Sequence, residues 1–250
     1  MPISFYDSIK RHVEDIPIKN LPIFRYMDLD GVIPTLQNQQ LRLTRFDSSH
    51  NDPQEGRLSP GFISVFDEVN VGIANDSGIP NIGNDEIKLW AEITNREKCY
   101  FVSWSLHSPI RTEMWEKYTK TSEACAFEMA PEQLKISIKD ELDIASIGET
   151  FYQNPDDRTG SSIDYTRELF RKHPDHSEDK EVRLVLDTRW APSRFDNSTG
   201  IGFPKHAYLN FDLSKIARIY IKPGASNNTF LKVNALVNSL NLEIEIVVLK

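Results

Sequence analysis

The sequence predicts an α+β protein: a mixed, mainly antiparallel sheet with helices at its periphery. Three observations carry this. About eight or nine short runs bunch or alternate β-branched and aromatic residues, helical patterns fall between only some of them, and no regular strand–helix–strand alternation develops. The chain has 250 residues, 39% of them hydrophobic and 26% charged, which suits one domain over residues 1–250.

The elements follow in order. "LPIFRYMD" (21–28) reads as a short buried strand, and "DLDGVIPTLQNQQ" as a helix with Asp28 or Asp30 near its start and an interruption around Pro34. "LRLTRF" (41–46) alternates like a half-buried strand. "DSSHNDPQEGRLSPG" is turn-rich and long for a plain connector, which marks it as a working loop. "NDEIKLWAEITN" looks helical, and "NDSGIPNIGND" is loop. "KCYFVSWSLH" (98–107) is a strand, and "TEMWEKYTK" (112–120) a helix with Met114, Trp115 and Tyr118 at helical spacing. "EACAFEM" (123–129) returns as a strand, "LDIASIGETFYQ" as another, and "SIDYTRELFRKH" (162–173) as a helix turning Leu169 and Phe170 inward. "KEVRLVLD" (180–187), "AYLNFD", "IARIYIKP" and "LEIEIVVLK" complete the strands, with "NNTFLKVNALVNSL" an amphipathic helix before the last.

Several function classes are disfavoured. The net charge of −8 supplies no broad footprint for a nucleic-acid backbone, although a local basic groove or a small anionic ligand on one or two arginines stays open. Cys99 and Cys125 each lie in apolar stretches, so neither a disulfide framework nor a zinc site is expected. His50, His107, His173, His176 and His206 share no common-face spacing, and no metal is expected. Neither a Gly-rich phosphate loop nor a nucleophile elbow occurs. No apolar run reaches membrane-spanning length and the start lacks a secretory pattern, so the expected location is the cytoplasm, without a membrane partner.

The residues that could carry chemistry stand out against their surroundings. Arg25 interrupts an apolar strand and needs an anion: either a neighbouring acid, or a phosphate that its planar fork would clamp. Ser103 and Ser105 fall on one face of a strand with Trp104 on the other, either bonding nearby backbone or lining a polar cleft. Asp179 and Glu181 share one face at a strand start, where they repel unless a cation lies between. Lys180 and Arg183 could simply solvate that strand entrance, or the acids could stabilise an oxocarbenium-like centre.

Arg25-Tyr26, Asn51-Asp52-Pro53 with Glu55, Ser105, Met114-Trp115 with Tyr118, and Glu181 with Arg183 together resemble the motif order of a prokaryotic domain-of-unknown-function family, number 2971, over roughly 21–221. Asp179 departs from that pattern, where Glu is more usual, and so does Gly224, which sits late. That resemblance leaves the role of the Asn51-Asp52-Pro53 loop open.

More distantly, the order Arg25, Ser103-Trp104-Ser105, Asp179-Lys180-Glu181 is similar to that of ADP-ribosyltransferases. The resemblance implies a split, mainly antiparallel sheet and NAD as substrate. Arg25 would hold its diphosphate or ribose, Ser103 and Ser105 would orient the nicotinamide-side ribose and the strand, and Glu181 would stabilise the cation formed as nicotinamide leaves. Asp179 would help select a protein or nucleic-acid acceptor. Tyr26, Trp115 or Tyr118 could serve as stacking platforms. Two other readings compete. One is a non-catalytic protein- or nucleic-acid-interaction module of a phage-defence or toxin system; the other is a nuclease with Asp52, Glu55 and Glu181 around Mg²⁺.

Overall fold

The computed structural model describes residues 21–48, 55–64, 67–68, 89, 92–93, 96–138, 144–154, 165–188 and 203–249. The loop residues Asn51, Asp52 and Pro53, and most of the helix expected over 84–95, lie outside them.

The architecture is α+β, with a mainly antiparallel sheet and peripheral helices. Its strands are β1 (Ile23–Asp28), β2 (Gln40–Arg45), β3 (Cys99–Ser105), β4 (Ala124–Met129), β5 (Ala145–Glu149), β8 (Glu181–Asp187), β9 (His206–Asn210), β10 (Arg218–Ile221) and β11 (Glu245–Val248). A separate two-stranded piece joins β6 (Phe151–Tyr152) to β7 (Arg171–Lys172). Among the described residues, only this pair and β10–β11 run parallel. The helices are α1 (Leu29–Asn38), α2 (Thr112–Tyr118), α3 (Pro131–Ser137), α4 (Tyr165–Glu168) and α5 (Asn227–Ser239).

Alternation along the strands sorts the side chains into two faces. One carries Tyr100, Val102 and Trp104 of β3 with Val182, Leu184 and Leu186 of β8, and packs against Val32 and Leu36 of α1, Leu134 of α3 and Val233 and Val237 of α5. The other face holds two separate apolar clusters. Phe24, Tyr26, Ala124 and Ala126 lie under Met114 and Trp115 of α2, while Phe101 and Val185 lie beside Phe46, Leu169 and Phe170. The polar residues considered below sit between these two clusters.

The sheet forks at β3. One edge of β3 pairs with β8 along its whole length, from Cys99↔Asp187 to Ser105↔Glu181. The opposite edge is divided: its first half pairs with β2 through Tyr100 and Phe101, and its end meets β1 only at Phe24↔Ser105. Between these contacts, around Ser103, β3 has no strand neighbour on that edge among the described residues.

Two expectations change, and one segment left unassigned becomes a helix. α1 runs unbroken through Pro34, and Gln39, in the left-handed region at φ 52°, ends it. Residues 131–137, which carry no strong pattern, form α3 with Pro131 in its first turn, where a missing N–H is harmless. The helix expected over 162–173 is described only from 165 and is a single turn, after which Arg171–Lys172 pairs as β7. Leu169 and Phe170 are buried as expected, but they reach the core from the turn.

Candidate active site

β8 is buried along all seven residues although it carries Glu181, Arg183 and Asp187 on one face. Burial of such groups is affordable only with partners and hydrogen bonds, and these are present. Arg183, fully enclosed, donates from Nε to Glu181 Oε1 at 2.5 Å and from a terminal nitrogen to the Leu169 carbonyl at 2.7 Å. Its other terminal nitrogen pairs with Glu55, and its guanidinium lies over the Phe101 ring at 5.1 Å. Lys180 and Arg183 therefore do not act alike: Lys180 is exposed, whereas Arg183 is the internal counter-ion of two acids.

Glu181 is held at both oxygens. Oε1 accepts from Ser103 Oγ at 2.5 Å as well as from Arg183, and Oε2 accepts from Lys172 Nζ at 2.9 Å. Its backbone N–H donates to the Tyr152 hydroxyl at 2.9 Å. Burial alone would raise the carboxyl pKa, but Arg183, then Lys172, then the hydrogen bonds from Arg183 and Ser103 outweigh it and bring the value down to about 2. Glu181 is thus an ionised acceptor at neutral pH, suited to stabilising positive charge and not to shuttling protons.

Asp179 does not stand in β8 beside Glu181, as the spacing suggests. It ends a 3₁₀ segment, and Lys180, in the left-handed region at φ 43°, turns the chain between them. Both acids still converge on one cation, because Lys172 Nζ lies 2.9 Å from Asp179 Oδ2 and from Glu181 Oε2. The other Asp179 oxygen pairs with Lys117 of α2. Glu55, Arg183, Glu181, Lys172, Asp179 and Lys117 so form a row of alternating charge, in which the three cations balance the three acids.

Ser103 and Ser105 share a face and Trp104 points to the opposite core, in line with the strand period. Their hydroxyls do different things. Ser103 bonds Glu181, while Ser105 donates to the Asp179 carbonyl at 3.2 Å and accepts from the His107 N–H at 3.0 Å. The strand end is further laced to residues 178–180 by His107 Nε2 to the Glu178 carbonyl, 2.7 Å, and by Leu106 N–H to the Lys180 carbonyl, 3.0 Å.

Arg25 occupies the fork. A terminal nitrogen donates to the Ser103 carbonyl at 2.7 Å, a backbone acceptor that the fork deprives of a strand partner. Its Nε is enclosed without a hydrogen-bond partner. No carboxylate pairs with it among the described residues. Desolvation first, then repulsion from Arg42, lower its pKa to about 10, against a raising influence of Glu181 and Tyr118. The acid that acts on it electrostatically, Glu181, is itself paired with Lys172 and Arg183.

The open cleft beside it, about 210 Å³ including its mouth, is lined by Phe24, Arg25, Tyr26, Ser103, Ser105 and Tyr118. Tyr26 and Tyr118 stack with ring centroids 5.9 Å apart and planes 19° apart. Tyr26 also meets Trp115 edge-on at 4.9 Å and donates its hydroxyl to the His107 carbonyl at 2.9 Å. Burial raises the pKa of both tyrosines, and Asp179 and Glu181 add to the effect at Tyr118. Trp115 is fully buried and donates to the Pro109 carbonyl at 2.7 Å, so it supports the platform from behind without reaching the cleft.

Arg25, Tyr26, Ser103, Ser105 and Tyr118 thus meet around one small opening, and Glu181 lies buried behind it, bonded to the lining residue Ser103. No family model matches the chain, and no curated protein does. Solved structures do overlap with it. The chain aligns over 93% of its length, and 97% of the other's, with "Thermus sp. 2.9 DarT in complex with NAD+", at 8% identity and TM-score 0.39. The corresponding figures for the carba-NAD+ complex are 94%, 97%, 8% and 0.38, and for the complex with ADP-ribosylated ssDNA 93%, 96%, 9% and 0.39. At that identity and TM-score these likenesses carry no conclusion about the chemistry of this chain.

The arrangement limits what the site can do. Glu55 and Glu181 both pair with the Arg183 guanidinium, and Asp52 lies outside the described residues. No helix among the described residues is long and apolar enough to cross a membrane. Lys172, Lys117 and Tyr152 escape the sequence reading. Their only signal was that two acids two residues apart require a cation, without any indication of which one.

Proposed function

We propose that this protein cleaves the nicotinamide–ribose bond of NAD and transfers ADP-ribose to a macromolecular acceptor. The observation that carries the reading is Arg25: a half-buried guanidinium with an enclosed, unpartnered Nε and no carboxylate paired with it among the described residues, lining the cleft together with Ser103, which bonds the ionised Glu181. The charge row beside it is balanced within itself, so none of its acids is left over for Arg25. A diphosphate or an oriented ribose supplies what is missing, and the guanidinium fork suits it.

In this reading Glu181 hydrogen-bonds the nicotinamide-side ribose. As the C1′–N bond breaks, nicotinamide leaves with the bonding pair, cationic character grows on the sugar, and the fixed carboxylate stabilises it in a partly dry site. The acceptor then bonds to C1′ and releases its proton. Ser103 acts on the acid, orienting Oε1, and Ser105 holds the 178–180 turn. Tyr26 and Tyr118 give an aromatic wall for the ring that enters. Asp179, with both oxygens held by lysines, serves the geometry of Glu181 ahead of any contact with an acceptor.

A second reading has one observation in its favour: the charge row is saturated, as an architectural network would be. A non-catalytic module that binds an anion at Arg25 fits that observation. Incubation with NAD separates the two. Release of nicotinamide that is lost in Glu181→Gln supports transfer, whereas binding lost in Arg25→Met with no nicotinamide released from the wild type supports the module.

A further inference from the structure

The two oxygens of Glu181 are not equivalent. Oε1 already accepts two hydrogen bonds, from Ser103 Oγ and Arg183 Nε, whereas Oε2 accepts one, from Lys172. A carboxylate oxygen has about two acceptor directions. Oε2 is therefore the oxygen with capacity for a further donor, and its direction is set by a single ammonium.

That ammonium is itself fixed from several sides. Lys172 lies in β7, in register with Tyr152 of β6, and Tyr152 accepts the Glu181 N–H, so one two-stranded piece holds both the backbone and the carboxylate of residue 181. The Lys172 side chain is only 10% exposed and bonds Asp179 Oδ2 as well. Asp179 is tethered in turn by Lys117, on the same helix as Tyr118. The chain of contacts runs from the aromatic wall to the acid, and Lys172 is its last link.

The geometry points to Lys172 as a positioning residue: by bridging Asp179 and Glu181 it aims Oε2 at the ligand and keeps the acid charged. The aiming role rests on the transfer reading above; the effect on charge does not. Removing the ammonium leaves two acids facing one another across its place, which favours protonating one of them. An opposite charge at this range typically moves a carboxyl by about 1–3 pH units.

The test follows the Glu181 side-chain carbon by NMR in ¹³C-glutamate-labelled protein, assigned with Glu181→Gln, alongside nicotinamide release. Wild type should titrate well below pH 4, and Lys172→Met should raise the midpoint by about 1 pH unit or more. Lys172→Arg should leave it near the wild-type value. In the same variants kcat should fall roughly 10- to 100-fold in Lys172→Met, with KM for NAD within about threefold, and recover largely in Lys172→Arg. Should Lys172→Met fail to fold, Lys172→Gln, which keeps a donor and loses the charge, carries the same expectation. A Glu181 midpoint unmoved in the neutral variant overturns the inference. Wild type that releases no nicotinamide removes the transfer reading and, with it, the aiming role, while the titration still decides whether Lys172 keeps Glu181 charged.

Discussion

Replacing Arg25 by methionine should make the protein more stable while removing its anion site. The fold buries this guanidinium in the fork with no carboxylate paired to it among the described residues, and desolvation, then repulsion from Arg42, lower its pKa from the ordinary arginine value to about 10. At about 1.4 kcal/mol for each tenfold, that depression corresponds to roughly 3 kcal/mol by which the folded state disfavours the charge. Methionine retains most of the apolar stem and removes the charge. Against this, the Ser103 carbonyl loses its donor, a loss of about 1–3 kcal/mol for a bond to a charged group. The balance is a gain of about 1 kcal/mol, a rise of roughly 2–4 °C in Tm for a domain of this size. Urea denaturation at pH 7.5 measures it, through a higher midpoint at unchanged slope. Pyrophosphate at millimolar concentration should stabilise the wild type and leave the variant unmoved. A variant less stable than wild type by 1 kcal/mol or more would refute the reasoning, because the guanidinium would then be a net structural support and not a charge awaiting an anion.

Further outcomes follow from the same contacts. Arg183→Met leaves Glu55 and Glu181 buried without their shared cation and should destabilise the fold by about 3–5 kcal/mol in denaturant titration. Gly56→Ala should cost about 1–3 kcal/mol, because the position has φ 73° and a Cβ there would come within 2.9 Å of Phe46; it should also displace the adjoining Glu55 and so weaken its pairing with Arg183. Stability followed by circular dichroism should decline as pH falls from about 4.5 toward about 2. The depressed Glu181 carboxyl contributes above its unfolded value, and that contribution is lost on protonation. Any NAD-cleaving activity should accordingly show no acid limb between pH 4.5 and 7 attributable to Glu181; a limb there that vanished in Glu181→Gln would contradict its ionised state.

The parts of this site readable in the sequence are those governed by strand period. Ser103 and Ser105 share a face because residues two apart must, and Arg25 stood out because an apolar strand carries no partner for it along its own length. The need of Asp179 and Glu181 for a cation was also legible, since two acids at that spacing repel. The cation itself was not. Lys172 lies nine residues from Glu181 in a stretch whose pattern suits a helix, and it becomes a ligand of both acids only because Arg171–Lys172 pairs with Phe151–Tyr152, a contact of two residues that leaves no periodic trace. Glu55 and Lys117 reach the row from separate segments for the same reason. The fork in the sheet is likewise a matter of register: β2 and β1 share one edge of β3, and no single strand announces that it will stop pairing halfway.

Transfer of ADP-ribose requires Arg25 in the cleft and the charged Glu181 behind Ser103 to act on one ligand. Single-turnover release of nicotinamide from labelled NAD, with excess protein, tests it most directly. The account predicts release by the wild type, a loss of at least about 100-fold in Glu181→Gln with NAD still bound, and loss of binding in Arg25→Met. Equal release by wild type and Glu181→Gln, both folded by thermal melt, would contradict it.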